Sequence, residues 1–185
     1  MNLIVSAPSG SGKTTILKKL FEKYPDIFGF SISATTRKPR QGEVNAKDYY
    51  FISPEEFGNK LADNEFLEYE QVYENLYYGT LKSEIERINA LNKYPVFDVD
   101  VKGGMNIKKH LGDRAFSIFI MPPSLEILKQ RLLNRKTESE DSLKKRLDRA
   151  EMEMAYSECF DLVVINDDLD KAVEEFIKAV EDHIL

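Results

Sequence analysis

Short apolar runs alternate with longer amphipathic segments along most of this chain. The runs NLIVSA, YPVFDVDV, AFSIFIM and DLVVIND each predict a buried core strand. Segments with an apolar residue every three to four positions, such as KTTILKKLFEKY and the terminal DLDKAVEEFIKAVEDHIL, predict helices. Such alternation is typical of an α/β fold in which helices cover both faces of a parallel sheet. Ligands are then expected at the carboxyl ends of the strands.

The middle of the chain, between about residues 29 and 80, departs from this alternation. GFSISATTR and DYYFI predict short strands, and the aromatic-rich EFLEYEQVYENLYYGT suits antiparallel strands. Between them, Ser53 and Pro54 mark a helix start, because a hydroxyl caps the helix and proline suits its first turn. We therefore expect an inserted β-rich lobe rather than a separate domain.

Composition narrows the class of protein. The chain has 185 residues, 42% of them hydrophobic, and a net charge of -6, which argues against bulk binding to nucleic acid or anionic membranes. We see no signal peptide and no membrane span. Cys159 is the single cysteine, so no intrachain disulfide can form, and we expect a buried structural thiol in a cytoplasmic protein.

The segment SAPSGSGKTT near the start matches the phosphate-binding P-loop, G-x-x-x-x-G-K-[ST], with alanine in the first glycine slot. The strand before it and the helix after it complete the motif. Its backbone N–H groups would surround the phosphates of ATP, Lys13 would reach the β- and γ-phosphates, and Thr14 would ligate Mg²⁺. The predicted residues for Mg·ATP are Ala7, Pro8, Ser9, Gly10, Ser11, Gly12, Lys13, Thr14 and Thr15.

A basic cluster of Arg37, Lys38 and Arg40 surrounds Pro39 in this acidic chain. Taken alone, such a cluster is typical of a solvated turn. Beside a P-loop it becomes a candidate clamp for a second phosphate, because guanidinium groups bind phosphate oxygens in pairs.

At this point the sequence resembles the guanylate kinases. SAPSGSGKTT, SATTRKPRQGEVNAKDYYF, NEFLEY, YYGT, FDVDVKGG, RLLNRKTESEDSLKKRL and VIND follow the order of that family over nearly the whole chain. The resemblance implies Mg·ATP-dependent phosphorylation of GMP to GDP. It also implies a P-loop α/β/α core (1–31, 82–123 and 156–185), a GMP-binding lobe (about 32–81) and a helical lid (about 124–155).

The resemblance also assigns residues to the acceptor nucleotide. Those implied to hold the GMP phosphate are Arg37, Arg40, Tyr49 and Tyr78, with Tyr77 open as an alternative to Tyr78. Ser33, Glu68 and Thr80 are implied to read the base. A carboxylate suits guanine, because it accepts from both N1–H and the exocyclic N2–H.

Asp98 and Asp100 are implied to lie where the two nucleotides meet. They suit Mg²⁺ or its waters at the end of a core strand, or they could simply cap that strand end.

In the lid segment, Arg135 and Arg146 are implied to close over the ATP phosphates. Arg131 could join them or remain on the helix surface, whereas Arg149 is expected in a surface salt bridge. Lys136 stands where the family commonly has glycine, so the hinge could be stiffer. Asn166, in VVINDD, is implied to lie near the adenine of ATP.

Two other classes of function compete with this interpretation. One is a non-catalytic guanylate-kinase-like module that binds phosphopeptides, and the other is a P-loop kinase for another small phosphorylated acceptor. The intact Gly12, Lys13 and Thr14 favour catalysis. The sequence leaves the oligomeric state open between monomer and homodimer.

Overall fold

The computed structural model describes residues 1–134 and 140–185. The strands within them, in chain order, are β1 (Asn2–Ser6), β2 (Phe28–Phe30), β3 (Ala34–Thr35), β4 (Tyr50–Phe51), β5 (Phe66–Tyr73), β6 (Leu76–Leu81), β7 (Tyr94–Asp98), β8 (Ala115–Met121) and β9 (Leu162–Ile165). The α-helices are α1 (Lys13–Lys23), α2 (Pro54–Ala62), α3 (Ser83–Asn89), α4 (Val101–Leu111), α5 (Leu125–Leu133), α6 (Glu140–Met154) and α7 (Leu169–Ile184). In the described part of the chain, none of these helices has the length and apolar composition needed to span a bilayer.

Five strands form a central parallel sheet in the order β2-β7-β1-β8-β9. Along β1, Leu3 and Val5 pack into the core that α1 and α7 close, whereas Ile4 packs into a second core with Ile107 of α4. This is the two-residue period of a strand that is buried on both faces. The predicted α/β fold with a covered parallel sheet is confirmed.

The prediction of four core strands missed the edge strand β2. GFSISATTR is not one strand, because its start belongs to β2 and its Ala34–Thr35 forms β3 of a different sheet. Between them, the backbone N–H of Ile32 donates to the carboxylate of Glu84 at 2.6 Å rather than to a strand. A strand of three residues is too short to show a period in the sequence.

The other four strands form a second sheet in the order β4-β3-β6-β5, with β5 and β6 antiparallel as predicted. Helix α2 covers it through Phe57, whose ring stacks on Phe66 at 4.4 Å and on Tyr77 at 5.1 Å between centroids. These aromatic residues give the β-rich middle of the chain a small core of its own.

Glu84, at the start of α3, ties the second sheet to the central one. Its side chain is 1% exposed, and it accepts hydrogen bonds from the Ile32 N–H, from the Tyr50 hydroxyl at 2.8 Å and from Arg87 Nε at 2.8 Å. A buried carboxylate with a guanidinium partner and several donors is well compensated for the loss of water. This cluster therefore joins β4 of the second sheet to α3.

Helices α5 and α6 pack on each other through Leu128, Leu132, Leu143 and Ala150. After α6, a 3₁₀ turn (Ser157–Cys159) leads to β9. The prediction that Cys159 is buried is wrong: its side chain is exposed, and the next residue, Phe160, occupies the buried position.

Candidate active site

The loop between β1 and α1 has a backbone conformation that favours glycine. Gly10 and Gly12 have φ angles of +98° and +97°, in the left-handed region. A Cβ atom on Gly12 would lie 2.3 Å from Nδ2 of Asn166, so contact as well as conformation excludes a side chain there. Because α1 begins directly at Lys13, its first N–H groups would face an anion bound at the loop.

A cavity of about 580 Å³ lies against this loop. It is lined by every residue predicted for the phosphates from the loop itself, namely Ala7, Pro8, Ser9, Gly10, Ser11, Gly12, Lys13, Thr14 and Thr15. Asp98, Asp100 and Arg146 line it from other elements. Backbone donors with cationic side chains around one cavity suit a polyphosphate.

Lys13 connects the loop to the end of β7. Its ammonium group forms an ion pair with Asp98, the last residue of that strand, and donates to the carbonyl of Val99 at 3.1 Å. The side chain is only 19% exposed. The charge is therefore held inside the cavity, where a phosphate group would contact it.

The oxygen ligands present here fit Mg²⁺. The Thr14 hydroxyl and the carboxylates of Asp98 and Asp100 line the same cavity. Magnesium prefers oxygen ligands, and in kinases it takes only one or two from the protein and the rest from phosphates and water. The described residues include no group of three or more acids, histidines or cysteines that could hold a metal unaided.

Asn166, implied to lie near the adenine of ATP, contacts the P-loop backbone through its side chain. It is 4% exposed, and its Nδ2 donates to the carbonyl of Ser11 at 2.7 Å. Asn166 is not one of the described residues that line the loop cavity. The Asn166 amide thus holds the P-loop backbone, and it lies so close to position 12 that only glycine fits there.

A second cavity, of about 220 Å³, lies between the second sheet and the carboxyl end of β7. The predicted acceptor residues that line it are Ser33, Tyr49, Glu68, Tyr78, Asp98 and Asp100. Because Asp98 and Asp100 also line the loop cavity, the two cavities share a wall. Ligands in the two cavities would meet at these two carboxylates.

Glu68 lines the second cavity. Its Oε1 accepts a hydrogen bond from Thr80 Oγ1 at 2.7 Å, which joins two residues predicted to read the base. Burial raises the pKa of the Glu68 carboxyl to about 7, with the nearby acids Asp100 and Glu70 acting in the same direction. The side chain therefore titrates close to neutrality.

Arg37 stands beside this cavity, held by Tyr78 and Glu43. Its Nε donates to the Tyr78 hydroxyl at 3.1 Å, and its two terminal nitrogens donate to the Glu43 carboxylate at 2.7 and 2.9 Å. The guanidinium also lies 5.1 Å from the centre of the Tyr49 ring. The structure thus brings three of the four predicted phosphate ligands together, with one acid that the sequence analysis did not select.

The fourth, Arg40, is exposed on the same turn, and its contact with Glu43 is made by its backbone N–H at 2.7 Å. The two tyrosines have different surroundings. Tyr78 contacts Arg37 and Tyr49, whereas the Tyr77 ring packs on Phe57 in the core of the second sheet.

Asp100 does not belong to the strand as predicted, because β7 ends at Asp98. It is the N-cap of α4, where its Oδ1 accepts from the N–H of Gly103 at 2.8 Å. It also faces both cavities, so it serves as a cap and as a wall residue at once.

The lid arginines separate into different environments. Arg146 lines the loop cavity and its Nη2 donates to Ser9 Oγ at 2.8 Å, whereas Arg131 donates to the carbonyl of Asn166 at 2.8 Å. Arg135 and Lys136 lie outside the described residues.

Arg149 forms the predicted salt bridge, with Glu153. It also donates a hydrogen bond to Asp100 and lines both cavities.

Sequence reasoning therefore missed Glu43 and undervalued Arg149. Glu43 lies three residues beyond Arg40, in a turn where positive charges outnumber negative ones. A salt bridge between this acid and a nearby arginine could therefore have been predicted from the sequence. Arg149 lies three residues after Arg146, and that spacing puts both on one face of a helix.

Comparisons with known proteins agree with this geometry. The family model for guanylate kinase matches residues 1–183. A guanylate kinase of Porphyromonas gingivalis is 52% identical over 182 residues, which cover 98% of this chain and 97% of that protein. One from Sus scrofa is 46% identical over 185 residues, with 98% and 92% covered.

Solved structures show the same fold. The crystal structure of guanylate kinase from Anaplasma phagocytophilum has a TM-score of 0.73 and 26% identity, and the match covers 100% of this chain and 87% of that one. The SH3-kinase fragment of tight junction protein 3 has a TM-score of 0.54 at 12% identity, over 98% of this chain and 56% of that one, which shows a shared fold alone. The loop and the two adjoining cavities agree with these matches. The chain belongs to the guanylate kinase family.

Proposed function

We propose that this protein transfers the γ-phosphate of ATP to GMP, giving ADP and GDP. The observation that supports the proposal is the shared wall: the P-loop cavity and the cavity lined by Glu68 meet at Asp98 and Asp100. Two nucleotides bound there would place the donor and acceptor phosphates next to each other. Such proximity is the main requirement of phosphoryl transfer, since little other covalent chemistry is left to the protein.

ATP is assigned to the loop cavity. The backbone N–H groups of the P-loop bind its phosphates, and Lys13 leaves Asp98 to contact the β- and γ-phosphates. Thr14 would hold Mg²⁺, with Asp98 and Asp100 lining the same cavity, and the ion would supply positive charge that offsets the charge of the phosphates. Arg146 lies at the same cavity and adds charge at the transferring group.

GMP is assigned to the second cavity. Glu68 in its ionised form accepts from N1–H and N2–H of guanine, and Ser33 and Thr80 supply hydroxyl groups to the rest of the base. Arg37, Arg40, Tyr49 and Tyr78 form the binding site of its phosphate, with Arg37 and the two tyrosines already in contact.

In the reaction, an oxygen of the GMP phosphate forms a bond to the γ-phosphorus of ATP. The bond between that phosphorus and the β,γ-bridging oxygen breaks, and ADP leaves with the electron pair. The second sheet lies within the proposed acceptor lobe, residues 32–81, and α5 and α6 lie within the proposed lid, residues 124–155. Residues 1–31, 82–123 and 156–185 make up the proposed core.

A direct test is an acceptor screen with purified protein. ADP formation from Mg·ATP is measured with GMP, dGMP, AMP, CMP and UMP in turn, and the product is identified as GDP. We expect GMP to be preferred over AMP by a wide margin, because Glu68 repels the N1 lone pair of adenine. No turnover with any acceptor would favour a non-catalytic module, and preference for another acceptor would favour a different kinase.

A further inference from the structure

Arg149 of α6 occupies the point where the two cavities meet. It lines the loop cavity with Lys13 and Arg146, and it lines the second cavity with Glu68 and Tyr78. Besides Arg149, the residues common to both linings are the last residue of β7 and the two that follow it, namely Asp98, Val99 and Asp100. Within the described residues, it is the only cationic side chain in the lining of both cavities.

The guanidinium of Arg149 is held in place by two carboxylates. Its Nη2 donates to Oδ2 of Asp100 at 2.9 Å, and its Nε donates to Oε1 of Glu153, one helical turn along α6, at 2.7 Å. Within residues 1–134 and 140–185, its Nη1 forms no hydrogen bond. The orientation is therefore fixed, while donors remain for a ligand.

Negative charge is concentrated at this junction. Asp100, Glu153 and Glu70 lie around Arg149. Two nucleotide phosphates would add further negative charge at the same point. A cation there is required to offset repulsion between the carboxylates and the phosphates, and a planar guanidinium does this while it donates hydrogen bonds to oxygens on either side.

We propose that Arg149 is a third lid arginine of phosphoryl transfer, which fixes Asp100 and presents its remaining N–H groups to the phosphates where donor and acceptor meet. The proposal rests on the proposed function of the two cavities. It gives Arg149 a role that differs from that of Arg146, which lines the loop cavity and bonds Ser9. Arg149 acts on both nucleotides at once, so its contribution belongs to the transfer step.

The test is steady-state kinetics of GDP formation with Arg149→Ala, each substrate being varied in turn. The matched control is Lys145→Ala, which removes an exposed positive charge from the same helix. We expect kcat to fall about 10- to 100-fold in Arg149→Ala, less than for a fully enclosed donor because this side chain is half exposed, with each KM within about threefold. Arg149→Lys, which keeps the charge without the fork, should recover part of the loss.

A second experiment separates contact with phosphates from simple support of Asp100. Arg149→Ala is made in an Asp100→Asn background, and melting temperatures confirm that every variant is folded. If Arg149 contacts the phosphates, its removal still lowers kcat at least severalfold in that background. The proposal is overturned if the effect disappears there, or if Arg149→Ala behaves like Lys145→Ala while the wild type converts GMP. Absence of GDP formation by the wild type would instead contradict the proposed function.

Discussion

Glu43 accepts two parallel hydrogen bonds from Arg37, at 2.7 Å from Nη1 and 2.9 Å from Nη2. It also accepts from the backbone N–H of Arg40 at 2.7 Å. The Arg37 guanidinium holds the pKa of the Glu43 carboxyl down to about 2, so the pair stays ionised at any pH of use. One carboxylate thus orients the guanidinium of Arg37 and holds the backbone at Arg40, the other arginine that we assign to the acceptor phosphate.

Replacing Glu43 with glutamine should weaken binding of GMP. The amide keeps the shape of the side chain, but its NH₂ group cannot accept from Arg37, so the paired bonds are lost and the turn around Arg40 loosens. We expect the KM for GMP to rise about 3- to 10-fold, which corresponds to the loss of a roughly 1 kcal/mol interaction. The KM for ATP should not change. Glu74→Gln, which changes an exposed acid in the turn between β5 and β6, is the control, and equal GMP KM values in the two variants would contradict the assignment.

Use of GMP should depend on pH through Glu68. With its pKa raised to about 7 by burial, the carboxyl is protonated below that pH, and it must lose the proton to accept from guanine N1–H and N2–H. We expect kcat/KM for GMP to be level above pH 7 and to fall towards tenfold per pH unit below it. The phosphate of GMP titrates near pH 6 as well, so the profile of Glu68→Gln provides the reference. The step near pH 7 should be present in the wild type and missing from the variant.

Glu68 should also set the choice of base. Glu68→Gln keeps the size of the side chain but turns one acceptor into a donor that faces a donor of guanine. We expect a loss of about 2–4 kcal/mol, or roughly 30- to 1,000-fold in kcat/KM for GMP, and a smaller preference for GMP over AMP. Measurement of kcat/KM for both acceptors at one salt concentration decides it. An unchanged preference would assign base selection to Ser33, Thr80 or the backbone.

Lys13 should be required for turnover and not for folding. Its ammonium group contacts Asp98 and a backbone carbonyl in a cavity rather than in a hydrophobic core. Lys13→Met should lower kcat about 10²–10³-fold, on the order of 3–4 kcal/mol, as expected for loss of an electrostatic stabiliser of the transferring group. Lys18→Met, on the exposed side of the same helix, should be normal. A folded Lys13→Met protein with near-normal turnover would show that the loop does not bind ATP.

Arg146 should affect the donor side of the reaction. It lines the loop cavity and bonds Ser9 of the P-loop, with no part in the lining of the second cavity among the residues described. Arg146→Ala should therefore lower kcat strongly and leave the KM for GMP nearly unchanged. A defect confined to the KM for GMP would move this arginine to the acceptor side.

Features that reside in one contiguous stretch were readable from the sequence. The P-loop is the clearest case, because the positive φ angles of Gly10 and Gly12 and the start of α1 at Lys13 follow from neighbouring residues. The alternating apolar runs predicted the parallel sheet for the same reason: each strand shows its burial in its own residues. Only the three-residue β2 was too short for that signal.

What the tertiary structure alone decided is which distant side chains meet. Arg149 looked like a surface residue because its contact with Asp100 joins positions 49 residues apart. Asn166 is implied to lie near the adenine, and its side chain reaches 155 residues back to donate to the carbonyl of Ser11. Tyr77 and Tyr78 are adjacent in sequence but point to opposite faces of β6, so one packs in a core and the other contacts Arg37. The sequence alone determined the local backbone and the periodic burial, because both depend on nearby residues, whereas these contacts exist only once the sheet order and the lid have set the distances between separate segments.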